Sequence, residues 1–232
     1  MTTSISTPAP SHSPVNAGST LGRGRWPLLG VAAGVGAIVG TLVLDIHPTS
    51  WNADDTYTVD VVDEISSGKA HASVVVGYIT VALLLVLAAA WRRHVEPRAL
   101  ASTAARVVPL GLTAAAGALS LGYGWRGALG LYLGNEEGAF DKQGLYVLYV
   151  LNDFGAYIGY LGVTVAAGAV VWMSLRERLV SRWIGIFSIL PILPVVVTVA
   201  AFGLPGFPGV SSGLWLIVAF AGLAFGKSTI NR

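Results

Sequence analysis

The chain has 232 residues, 54% of them hydrophobic and 11% charged, with a mean hydropathy of +0.68 and a formal net charge of +2. That composition lies outside the range of soluble domains and points to a helical membrane protein. The absence of cysteine excludes disulfides, thiol catalysis, iron–sulfur clusters and Cys-ligated zinc, and basic residues scattered over four short segments give no reason to invoke nucleic acid.

Residues 1–25 are rich in Ser, Thr, Pro and Gly, lack periodic apolar residues, and read as a disordered cytoplasmic tail. A first span is predicted over residues 26–46, too long for a signal-peptide core and with no small-residue cleavage site after it. An acidic outer loop leads to a second span over 71–91, and an inner turn to a third over 106–123. Pro109 is expected in the first turn of that third span, where a missing N–H costs little. Residues 125–152 read as the longest outer connection, whose apolar end, 145–151, either extends the next span or lies along the interface. Asp153 precedes Arg176 by 23 residues, roughly 34 Å of helix, so it is expected near the outer headgroups, opening a fourth span over 153–174. Fifth and sixth spans cover 183–202 and 210–226, joined by a tight turn with Pro205 and Pro208, and 227–232 form a second cytoplasmic tail. The expected fold class is all-α, a polytopic membrane protein with six transmembrane helices in one bundle and both termini inside.

Charge fixes the expected orientation. Of the 14 basic residues, 11 fall on one side of this arrangement, leaving Lys69, Arg126 and Lys142 opposite. That opposite side carries Asp54, Asp55, Asp60, Asp63, Glu64, Glu136, Glu137 and Asp141, with Asp45 and Asp153 at helix ends. Short loops rich in Arg and Lys stay cytoplasmic. Arg outnumbers Lys by 11 to 3, and with abundant Ala, Gly and Val this suggests a bacterial genome of high GC content and residence in the cytoplasmic membrane.

Few residues offer chemistry. Asp45 and Asp153 sit among apolar neighbours, where a carboxylate costs about 2.5–3.5 kcal/mol at mid-membrane and less near the interface. They read either as a cation- or proton-binding pair or, more plainly, as interfacial acids with Arg126 as structural counter-ion. Asn152 beside Asp153 suits a helix N-cap. His47 and His71 close the first span and open the second; with a nearby carboxylate they have the atoms of a divalent-metal site, but not a metal-binding spacing. Gly30, Gly34, Gly36 and Gly40, then Gly155, Gly159 and Gly162, form small-residue faces suited to close helix packing. Leu84, by contrast, reads as a generic surface position. Pro191 and Pro194 fall inside the fifth span, should free the carbonyls of Phe187 and Leu190, and mark a kink or hinge. Gly226-Lys227-Ser228 looks like the end of a phosphate-binding loop, but Ala221 stands where its first glycine is required.

The run Asp45-Ile46-His47-Pro48, the acidic loop after it, and a second span from His71 to Trp91-Arg92-Arg93 resemble a broad group of uncharacterised six-span membrane proteins of actinobacteria. The resemblance covers the first two spans and implies topology, not activity. Three functions follow from the residues: a structural, accessory or sensory membrane subunit; a small transporter or ion conductor using Asp45 and Asp153; and a membrane metalloenzyme with His47 and His71. The expected partners are the lipid bilayer and a second copy or another membrane protein. No cofactor is implied.

Overall fold

The structure, a computed structural model, describes residues 25–48, 58–133, 140–226, 228 and 230, and the backbone but not the side chain of Asp153. The expected tails therefore lie almost entirely outside the described residues, as does most of the acidic loop before Val59.

All regular elements among the described residues are helices: α1 (Leu28–Ile38), α2 (Ser67–His94), α3 (Thr103–Leu133), α4 (Lys142–Ile158), α5 (Leu161–Leu175), α6 (Arg182–Phe187), α7 (Ile192–Phe202) and α8 (Gly209–Phe225). A π-turn, Val39–Val43, prolongs α1, and short 3-10 turns cover Val59–Glu64 and Glu96–Arg98. Among the described residues, four helical stretches are long and apolar enough to cross a membrane: Ser67–Arg98, Thr103–Leu133, Lys142–Leu175 and Arg182–Phe202. Leu28–Val43 and Gly209–Phe225 are apolar but shorter.

Local chemistry sets the helix ends. Pro27 stands at the N-cap of α1, where its missing N–H costs nothing. Ser66 caps α2 by accepting from Lys69 N (3.3 Å), and Arg92, Arg93 and His94 fill its last turn, favourable for the carbonyl end of the helix dipole. Asp141 caps α4 by accepting from Gly144 N at 2.9 Å. The capping role expected of Asn152 is thus corrected: it lies well inside α4.

The first stretch ends at Val43 and the second helix opens at Ser67, before His71; the larger differences from the sequence reading lie in the third, fourth and fifth spans. The third span does not end at Tyr123; α3 runs to Leu133, so Arg126 is a helix residue and not the start of a loop. Since α3 begins at Thr103, Pro109 lies inside it, beyond the first turn, and cannot bond the Ala105 carbonyl. Trp91 Nε1 donates to that carbonyl instead (2.8 Å), tying α2 to α3. The fourth span is longer than expected, α4 and α5 following one another across Gly159 and Tyr160. The fifth is divided between α6 and α7 at Ser188–Pro191. Pro191 becomes the N-cap of α7 and Pro194 falls in its first turn, while the Phe187 carbonyl, expected free, accepts from Leu190 N at 3.0 Å.

Packing gathers the ends of the elements. At one end Trp26 meets Trp91 (5.9 Å between ring centroids) and Phe220 (6.4 Å), Ser102 donates to Glu177 (2.5 Å), and Ser181 bonds Ser228 (3.2 Å). The arginines of segments 92–106 and 176–182 flank these contacts. At the other end lie Asp45, Asp60, Asp63 and Asp141, with Lys142 bonded to Asp63 (2.5 Å) and Asp60 (3.3 Å). The outside of the bundle is apolar, with Ile186, Leu131 and Phe202 more than half exposed, as suits a hydrocarbon solvent. Leu84 is fully buried, against the surface reading.

Small residues let backbones touch. A Cβ on Gly155 would lie 3.0 Å from the Gly122 Cα, and one on Gly159 would lie 2.8 Å from Leu119 Cδ2, both on α3. A Cβ on Gly36 would collide with Thr80 of α2, and one on Gly40 would approach the Tyr123 hydroxyl at 3.1 Å. Gly122, unremarked in the sequence, is the partner that makes the α3–α4 approach possible.

Candidate functional site: a buried arginine at the end of the first helix

Polar groups from three other elements surround Arg126. Helix α3 presents a continuous buried stripe (Leu119, Gly122, Tyr123, Arg126, Leu129, Gly130) at helical spacing, so Arg126 points into the protein and is completely buried. Its Nε donates to Asn152 Oδ1 on α4 (2.8 Å). Its Nη1 donates to Ser73 Oγ on α2 (2.7 Å) and to the Gly40 carbonyl of α1's π-turn (2.9 Å), with the Leu44 carbonyl at 3.5 Å. One guanidinium thereby ties together four successive elements.

The backbone explains why the carbonyls are available. Leu44 N bonds five residues back to Val39 O (2.9 Å), after which the chain leaves the helix. The last carbonyls of a helix have no intrahelical donor and carry the negative end of its dipole. Ser73 Oγ also donates to Gly40 O (2.7 Å), so a hydroxyl and a cation share that carbonyl. Burying an unpaired guanidinium is costly, and hydrogen bonds to oppositely polarised groups offset the cost.

Asp45 follows the π-turn and lies beyond the apolar stretch Leu28–Val43. Its Oδ2 accepts from His47 Nδ1 (2.7 Å), its Oδ1 accepts from Ile46 N (3.0 Å), and Oδ1 is 3.9 Å from Arg126 Nη2. The His47 ring, the Ile46 N–H and the Arg126 guanidinium thus all face this carboxylate. Among the described residues Arg126 Nη2 and Asn152 Nδ2 make no hydrogen bond, and at 3.9 Å the ion pair with Asp45 is looser than the carbonyl and amide contacts.

A second layer lies against this group. Tyr123, one helical turn before Arg126, bonds Thr41 Oγ1 through its hydroxyl (2.8 Å) and Tyr160 Oη (3.2 Å). The guanidinium carbon is 6.0 Å from the Tyr123 ring centroid, within cation–π range. The His47 ring stands edge-on to Tyr149 (6.3 Å) and at a steep angle to Tyr157 (6.2 Å).

Of the residues singled out from sequence, Asp45, Arg126 and His47 come together. The side chain of Asp153 lies outside the described part. His71 is an exposed residue in the first turns of α2, and no group of three or more His, Asp or Glu close enough to hold a metal occurs among the described residues. Ser73, Asn152, Tyr123, Thr41 and the Gly40 carbonyl carry the site without having been singled out for it. Only the buried stripe of α3 could have pointed to them, and it is hidden in a sequence that is apolar on every face.

Between α3 and α4–α5 runs a groove of about 750 Å³, floored by Gly155, Gly159 and Gly162 and walled by Trp125, Phe154 and Leu161. Its lining among the described residues is apolar. No family model matches the chain, and no curated protein or solved structure matches it.

Proposed function

We propose that the chain is a six-span protein of a bacterial cytoplasmic membrane, both termini inside, acting as a structural, accessory or sensory membrane subunit. The charge bias between its two ends supports the orientation, and the apolar exterior supports immersion in lipid. The first helix, Leu28–Val43, spans about 24 Å at 1.5 Å per residue, short of a hydrocarbon core of about 30 Å. The carbonyls at its end need donors from within the protein, and Arg126 and Ser73 supply them at Gly40.

One observation carries the reading of the polar centre as structural: Arg126 is fully enclosed, and its hydrogen bonds go to hydroxyl, amide and backbone oxygens of the surrounding helices. A transport site needs groups that exchange partners with solvent. The convergence of Asp45, His47 and Arg126 is what favours the rival reading, a proton- or cation-coupled transporter with Asp45 as coupling residue and the α6–α7 break as moving part. Flux in reconstituted vesicles separates the two. The structural reading expects no proton or alkali-cation flux and reduced thermal stability in Asp45→Asn. A flux abolished by Asp45→Asn in a protein that stays folded would overturn it.

A further inference from the structure

The oxygens around Arg126 have the character of a cation-binding site. The Gly40 and Leu44 carbonyls end a helix, Ser73 Oγ and Asn152 Oδ1 converge from two other helices, and a carboxylate oxygen of Asp45 stands behind them. Such a set, a helix C-terminus with an unwound continuation and side-chain oxygens from facing helices, is how membrane proteins coordinate monovalent cations at broken helices. Here the positive charge at its centre comes from the chain itself, on the side chain of a third helix.

We infer that this cage is a monovalent-cation site whose ligand is built in: the Arg126 guanidinium occupies it as a tethered cation and so removes any need for a free one. Tethering has a physical consequence. A free ion must be dehydrated and ordered at each binding event, whereas Arg126 is positioned by folding, cannot be lost by dilution, and stays charged at all physiological pH. The planar fork reaches α1, α2 and α4 at once, which the single-nitrogen ammonium of lysine cannot reproduce in full. Removing the side chain leaves those oxygens converging on a guanidinium-sized gap, open to a soluble cation of the same charge.

The inference rests on the chain being membrane-embedded, and not on its being an accessory subunit; vesicle flux tests that role, and cation rescue tests this one. The experiment is thermal unfolding of the full-length protein in detergent, wild type against Arg126→Ala, with low-millimolar guanidinium, sodium or choline chloride at constant ionic strength. A ligand that binds only the folded state raises Tm in proportion to ln(1 + [L]/Kd). The wild-type Tm should not respond to guanidinium. Arg126→Ala should melt lower, recover saturably with guanidinium or sodium, and ignore choline, which is too large and lacks N–H donors. Asn152→Leu combined with Arg126→Ala should abolish the recovery. A folded Arg126→Ala protein indifferent to guanidinium and sodium would overturn the inference. If Arg126→Ala does not fold, the yields of monodisperse Arg126→Lys and Arg126→Gln protein decide: lysine retains a cation and should clearly exceed glutamine, and equal loss from both would sink the idea.

Discussion

Trp91 donates its indole N–H to the one carbonyl that Pro109 leaves without a helical donor, that of Ala105, at 2.8 Å. The pair turns a local defect of α3 into a bond between helices. A buried carbonyl without a partner costs about 1–3 kcal/mol. Trp91→Phe should therefore destabilise the protein by roughly that amount, plus whatever packing the smaller ring loses. In a Pro109→Ala background the backbone N–H at position 109 becomes available to Ala105 O, and the same Trp91→Phe change should cost measurably less. Equal costs in both backgrounds, measured by thermal unfolding, would refute the compensation.

Topology can be read by labelling, and the absence of native cysteine makes single substitutions clean. Cysteines at Asp63 and Asp141 should react with membrane-impermeant reagents in intact cells, whereas those at His94 and Arg178 should react only after permeabilisation. Reaction at His94 from outside would reverse the orientation drawn from the charge bias.

Glycine faces can be separated from glycine content. Gly159→Leu and Gly36→Leu place a branched side chain against Leu119 and Thr80, and overpacking of this kind costs about 1–3 kcal/mol or more. Gly117 has no other described residue within 4 Å of its Cβ position apart from its own helix, so Gly117→Leu should be tolerated in detergent and improve the local helix propensity. If all three variants melt together, close packing at these faces is not what holds the bundle.

The sequence by itself determined what depends on composition and short-range order. The helical class, the approximate place of each apolar stretch, and the sorting of charge between two ends were all legible, because the bilayer imposes length, hydrogen-bond closure and charge asymmetry on any chain that crosses it. The break near Pro191 was legible too, since proline acts on its own helix. Tertiary structure alone decided what each helix does to another. Arg126 read as a residue at the end of a span, yet α3 carries it inward, because the glycines of α3 and α4 let those helices close while Gly40 and Ser73 hold acceptors ready for it. Leu84 read as surface and is core, because in a helix apolar on all sides the hydrophobic pattern does not distinguish lipid from protein. The partner of a buried charge is likewise a property of approach, and sequence spacing carries no record of a carbonyl that a π-turn exposes to another helix.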